Sequence, residues 1–348
     1  MTKSRNFQLG ILYACSVFAF LAICYLLDVA RPEWGLATSV VLFGPSHEQT
    51  TKRALARLAA TAAAGASLLI LDAIASSNEA AFILAAALFI TGHLAIRSRQ
   101  WAYYYFVFGA TLAILGFDTV VTQASEDLTQ NFLQRLFQIG LAILVTVPPL
   151  LVYLHWNEPE PDGKTAEQAP EPSHLIFFVR GLFCCMGLTL LWLAGPFPGF
   201  DRVCLITAIL LSASATMTTL APMLRAGIIG LLAAFVSVVL IRLLFSVIPD
   251  HWVARTLIVS GCFGWAMARS MASAKNGMTW KIAMIVTTVL LTVEAPPIAA
   301  PKTYFLLVAV LFISIAVVAF SQVAAKQITC RRPLEPISDS GSRPSSPE

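Results

Sequence analysis

Residues 31–66 read RPEWGLATSVVLFGPSHEQTTKRALARLAATAAAGA. The apolar run inside this stretch, Trp34 to Pro45, is too short to cross a ~30 Å hydrocarbon core, which takes about 20 helical residues. It is therefore either tilted into Arg31 and Pro32 or broken. Gly44 and Pro45 favour an end to the helix, because proline has no N–H to donate and glycine weakens helical backbone. The next helix opens on Thr50, Thr51, Lys52, Arg53 and Arg57 and then passes into small residues. Unpaired carbonyls next to a basic, hydroxyl-rich helix start make a candidate anion site.

The rest of the chain places this stretch in a membrane. Of 348 residues, 57% are hydrophobic and 12% charged, with a mean hydropathy of +0.76, whereas a soluble domain carries roughly a quarter charged residues. Apolar runs near the length of a crossing helix predict about twelve spans. Six lie near 8–27, 34–45, 54–71, 79–96, 101–121 and 132–155, and six near 176–195, 202–220, 226–247, 252–270, 280–295 and 303–325. A barrel would instead show ~10-residue segments of alternating polarity. The expected fold is an all-α membrane protein. The first run follows Lys3 and Arg5 but has no small-residue cleavage site, so it reads as an uncleaved helix. A net charge of +4 gives no reason to expect nucleic acid as a partner.

Lysine and arginine test the span count, because they concentrate on the cytoplasmic side. With the N-terminus inside, the cytoplasmic ends and loops hold Lys3, Arg5, Lys52, Arg53, Arg57, Arg97, Arg99, Arg225, Arg269, Lys275, Lys281, Lys326, Arg331, Arg332 and Arg343. The outer loops hold only Arg31, Arg202, Arg255 and Lys302. Lys164 and Arg180, at the central linker, and Arg135 and Arg242, within spans, are set aside. Both termini are thus expected in the cytoplasm.

The midpoint carries NEPEPDGKTAEQAPEPS, residues 157–173, an acidic, proline-rich linker expected to be extended. It divides the chain into a six-helix repeat at 1–156 and a second at 174–330, followed by a disordered tail at 331–348. Ser46, Thr50, Thr51 and Arg57 recur as Ser214, Thr218, Thr219 and Arg225; Arg97 recurs as Arg269, and Asp118 as Glu294. Six spans per repeat give both the same orientation, so these are parallel repeats with the ligand pathway expected between them.

Ionisable groups within spans are costly and therefore candidates for function. Asp72, Arg135 and Arg242 lie near predicted helix ends, where snorkelling to the headgroups accounts for them. His93 is either a packing residue or a proton carrier. Asp118 and Glu294 occupy corresponding places at the outer ends of the fifth and eleventh spans, as loop carboxylates or as proton-coupling groups. Arg53 and Arg57 either serve topology alone or contact an anion. The cluster WAYYYF at 101–106, with Tyr104 at its centre, is either an interfacial belt or a stacking surface for an aromatic substrate. Seven cysteines without C-x-x-C spacing read as small core hydrophobes. No phosphate-loop motif and no acid/base or metal cluster is visible, which argues against an ATPase, another enzyme or a cofactor.

The stretch at 31–66 resembles the fusaric acid resistance family, which includes aromatic carboxylic acid exporters. Arg31, Pro32 and Trp34 match its opening, Thr38 its helix and Pro45 its break. Thr50, Arg53 and Arg57 match its basic turn, and Thr61 and Gly65 its small-residue face. Ala60 and Ala64 replace the usual glycines, and in the second repeat Ala213 replaces the proline. The resemblance implies a compact inner-membrane efflux transporter for fusaric acid-like or related organic acids, conferring resistance. It implies Trp34, Thr38, Thr50, Arg53 and Arg57 as substrate-binding residues, joined by Tyr104. It also implies a periplasmic adaptor and an outer-membrane channel as partners; a homo-oligomer is a further expectation. Export driven by the proton gradient is the leading expectation. A passive organic-anion channel is the alternative, from a distant likeness to plant malate channels. Reporter fusions at Lys164 and at the C-terminus should both register a cytoplasmic location, and a periplasmic signal at either breaks the two-repeat scheme.

Overall fold

A computed structural model describes residues 3–29, 32–44, 46–74, 77, 86–88, 103–105, 107–109, 111–112, 115–116, 128–157, 174–194, 203, 207, 220–248, 251–273, 276–291 and 301–330. These are helical almost throughout. The helices discussed below are α1 (Lys3–Leu26), α2 (Glu33–Leu42), α3 (His47–Ile74), α4 (Leu128–Trp156), α5 (His174–Leu193), α6 (Leu220–Val247), α7 (Trp252–Ala272), α8 (Gly277–Leu290) and α9 (Pro301–Cys330). By length and composition, four described helical segments can cross a membrane: Ser4–Leu26, His47–Ile74, Leu128–Trp156 and Arg225–Val247. The predicted spans at 79–96, 101–121 and 202–220 fall largely outside the described residues, as do the linker beyond Asn157 and the tail. The division into two six-helix repeats is therefore not decided by these helices.

The expected break after the second span is present. α2 has ten residues and ends at Leu42, where the Phe43 N–H donates to the Ser39 carbonyl. α3 starts four residues after Phe43, at His47, and runs for 28 residues, longer at both ends than the predicted 54–71. Pro32 precedes α2 with φ −66°, the value its ring imposes and a helix start accepts. The end of α1 is a Schellman turn: the Val29 N–H reaches the Cys24 carbonyl at 2.9 Å, and the Asp28 N–H reaches that of Tyr25 at 3.3 Å. Asp28 takes the left-handed position with φ 50°, where glycine is usual. α4 continues through Pro148 and Pro149, as membrane helices tolerate when neighbours satisfy the freed backbone.

Without a hydrophobic driving force between lipid-immersed helices, close association relies on small residues that let backbones meet. α1 and α7 use Gly10 with Ala14 and Gly264 with Ala268. A Cβ on Gly10 would lie 2.7 Å from the Gly264 carbonyl oxygen, and one on Gly264 would lie 2.7 Å from the Gly10 oxygen and from Ala14 Cβ. Helices more than 200 positions apart in sequence are thereby locked together. α6 meets α8 where Gly230 approaches the Thr279 carbonyl. α5 packs on α9, and Cys185 Sγ donates to the Ala86 carbonyl at 3.7 Å.

α2 lies in the middle of this assembly, against α4, α8 and α1. Seven of its residues, Gly35 to Val40 and Leu42, are buried. Gly35 faces the Phe20 ring so closely that any Cβ would collide with it. The Tyr13 hydroxyl and Ser39 Oγ share a hydrogen bond of 3.0 Å, and the Tyr13 ring meets Phe43 edge-on at 5.0 Å. Of the cysteines, Cys24, Cys184 and Cys185 are buried as expected, but Cys15 and Cys262 are exposed.

Gly264→Ala should lower the thermal unfolding temperature of the purified protein, because its Cβ meets backbone that cannot rotate away; overpacking of this kind costs about 1–3 kcal/mol. Gly261→Ala, on the same helix with nothing within 4 Å, should leave it equal or higher. Equal behaviour of the two variants would show that the α1–α7 contact does not hold the fold.

Candidate functional site

The ten residues of α2 are flanked by cations. At its C-terminal end, Lys281 of α8 donates through Nζ to the Phe43 carbonyl at 3.4 Å. This is an end carbonyl with no helical partner, and the negative end of the helix dipole favours the ammonium there. Arg53 acts on the same ammonium electrostatically, and its guanidinium lies 6.0 Å from the Tyr103 ring centroid. Gly44 keeps this corner open: a Cβ there would sit 3.2 Å from Thr50 Oγ1 and 3.7 Å from Arg53 Nη1. Two like charges are thus held together by elements distant in sequence.

Midway along α2, Arg57 Nε donates to Thr38 Oγ1 at 3.0 Å. The same hydroxyl donates to the Trp34 carbonyl at 2.7 Å, which fixes its lone pairs towards the guanidinium. At the N-terminal end, the Arg135 guanidinium of α4 lies over the Trp34 ring, 4.0 Å from its centroid, within cation–π range. α2 is therefore accompanied along its ~15 Å length by Arg53 and Lys281, then Arg57, then Arg135. Among the described residues no carboxylate pairs with Arg53, Arg57 or Lys281. The described ion pair nearby is Lys52 with Glu48, both exposed on the first turn of α3.

Buried hydroxyls continue this polar strip. Thr61 of α3 and Thr146 of α4 are fully buried, and neither Oγ1 has a hydrogen-bond partner among the described residues. An unmatched buried hydroxyl is costly.

The expected site residues sort as follows. Trp34, Thr38 and Arg57 come together, and Thr50 and Arg53 form a second group at the Gly44 corner. Thr50 is buried, and its hydroxyl bonds back to the Ser46 carbonyl at 2.9 Å; Thr51 does the same to His47 at 3.2 Å. The helix start therefore spends its hydroxyls on its own backbone, and side-chain cations supply the positive potential. Tyr104 packs on Tyr105 at 5.3 Å and on Phe108 at 6.3 Å; its neighbour Tyr103 faces Arg53. The small-residue face is present, with Gly65 against Phe132 and Ala60, Thr61 and Ala64 buried. His93, Asp118 and Glu294 lie outside the described residues.

Arg135 and Arg242 correct the expectation of snorkelling. Their relative exposures are 9% and 6%, because each helix turns that side chain inward; Asp72 is exposed as expected. Sequence reasoning also placed Lys281 only as a topological charge. The signal that could have found it is a lysine one turn inside an apolar helix with no acidic residue within reach along that helix.

No curated protein and no solved structure shows significant similarity to the chain. The sequence model of the fusaric acid resistance protein-like family matches residues 17–148, a segment that contains the whole of α2 and α3 and most of α4. Through that segment, this multi-pass membrane protein is similar to the fusaric acid resistance protein-like family, whose members are transporters.

Proposed function

We propose that the chain is an inner-membrane exporter of small aromatic or related organic acids, coupled to the proton gradient and conferring resistance to them. The observation that carries this reading is the grouping of Arg53 and Lys281 at the end of α2, with no carboxylate paired to either among the described residues. Like charges repel one another, more strongly where protein replaces water around them. The repulsion that the two cations suffer alone becomes attraction when a carboxylate enters between them. Arg57 and Arg135 then offer further cationic positions along α2, and the Trp34 and Tyr103 rings offer apolar faces beside them. Graded positions of this kind let an anion bind and still leave.

In this scheme two parallel six-helix repeats enclose the pathway, both termini lie in the cytoplasm, and the Gly44 corner is the cytoplasmic mouth. The exported acid passes on to a periplasmic adaptor and an outer-membrane channel, and the transporter assembles as a homo-oligomer. Proton exchange is assigned to Asp118 and Glu294, with His93 as the further candidate. A passive anion channel is the second reading, favoured by one observation: among the described residues no aspartate or glutamate is buried.

Purified protein in vesicles should export benzoate, and Arg53→Gln and Lys281→Gln should each slow that export about tenfold or more at unchanged protein level, as loss of a charged contact predicts. Wild-type rates in both variants would return these cations to a topological role. Asp118→Asn should abolish uphill export while sparing downhill exchange of labelled substrate, with a smaller defect in Glu294→Gln. Uphill export that survives collapse of the proton gradient at constant membrane potential removes the coupling, and strictly downhill flux selects the channel.

A further inference from the structure

At the opposite end of α2 from the Gly44 corner, α1, α2, α6 and α7 line a half-open cleft of about 700 Å³, a size typical of small-molecule sites. Tyr25, from the last turn of α1, and Trp252, the first residue of α7, stack across its rim with ring centroids 4.7 Å apart and planes 12° apart. Arg255 lies one turn further along α7, with its guanidinium 5.3 Å from the Phe245 ring centroid, and both residues line the cavity. Asp28 and His251 complete its charged and titratable lining, and Pro32 and Leu36 of α2 form part of its wall. The chamber therefore adjoins the Trp34–Arg135 end of the cation series, and none of its polar residues belongs to the site described above.

The composition of this lining specifies a ligand. The stacked pair offers a flat aromatic face, and Phe245, Leu36 and Val259 offer an apolar bed. Arg255 supplies a planar fork suited to one carboxylate. Asp28 has the opposite sign. It also holds the left-handed position of the Schellman turn, φ 50°, where glycine would do the backbone's work with less strain. A carboxylate lining the same cleft limits how much negative charge it accepts: one anionic group is drawn to Arg255, and a second on the same ligand is repelled by Asp28.

We infer that this chamber is a second binding site, for aromatic monocarboxylates, with Arg255 as the carboxylate anchor, Tyr25 and Trp252 as the stacking face, and Asp28 as the residue that rejects dicarboxylates. The ligand class rests on the organic-acid reading given above, whereas the chamber's binding can be measured with no transport at all.

The test uses the full chain in lipid nanodiscs and 4-nitrobenzoate, whose nitroaromatic ring quenches indole fluorescence on contact. Saturable quenching is expected in a Trp34→Phe background, which removes the indole of the site along α2, with the saturable component lost when Trp252→Phe is added. The affinity should fall about tenfold or more in Arg255→Gln, as loss of a charged contact predicts. With the wild-type chain, which needs no variant to fold, 4-nitrobenzamide and the dianion 4-nitrophthalate should both bind about tenfold more weakly than 4-nitrobenzoate. Asp28→Asn should narrow the gap between 4-nitrophthalate and 4-nitrobenzoate severalfold. Equal affinity for the benzoate and the benzamide, or a saturable component that survives Trp252→Phe, would overturn the site. An unchanged phthalate gap in Asp28→Asn would overturn the role of Asp28. A wild-type chain that binds 4-nitrobenzoate here but exports no benzoate from vesicles would sink the transport reading and leave the chamber standing.

Discussion

α2 is ten residues long, about 15 Å of helix, and cannot by itself cross a bilayer core of ~30 Å. At least one of its ends, with its unpaired backbone groups, must then lie at membrane depth, where irregular backbone survives only inside protein or beside a water-filled path. Much of the surrounding structure answers that requirement. α1, α4 and α8 bury α2 on most of its surface, Lys281 answers the Phe43 carbonyl at one end, and the chamber beside Pro32 and Leu36 lies at the other. A full-length helix in this place would have needed none of these partners.

Burial of the short helix depends on helices that are far apart in the chain. The Gly10–Ala14 and Gly264–Ala268 pairs bring α1 and α7 into backbone contact, which sets Tyr25 against Trp252 at the rim of the chamber and holds Tyr13 against Ser39 and Phe43. Lys281 is likewise 238 positions from the carbonyl it contacts. The cationic series is thus a product of both ends of the chain, and a change at the α1–α7 contact would disturb it without touching any cation.

What could be read beforehand was what composition and local chemistry dictate. The Gly44–Pro45 break, the shortness of α2, the basic start of α3 and the small-residue face at Ala60 to Gly65 all follow from residues within a few turns of one another. Residues whose roles depend on distant partners could not be read that way. Arg135 looked like a snorkelling residue because nothing in its own helix announces Trp34 across the interface. Lys281 looked like a topological charge, and Arg255 looked like an outer-loop residue because it lies within a turn of a helix end. The helix start was expected to offer its threonine hydroxyls to an anion; Thr50 and Thr51 bond to their own backbone instead, since a hydroxyl four residues from a carbonyl in a helix has a partner already in reach.

The central claim is that the space along α2 is a path selective for anions. Its most direct test is thiol modification in a cysteine-free background with single cysteines at Thr50, Thr38 and Trp34, comparing a negatively charged methanethiosulfonate with a positively charged one of similar size. An anion path predicts faster reaction of the negative reagent at all three positions, slowed by benzoate, with the preference reduced when Arg53 and Lys281 are both replaced by glutamine. Equal rates for the two reagents, or a preference for the positive one, would contradict it.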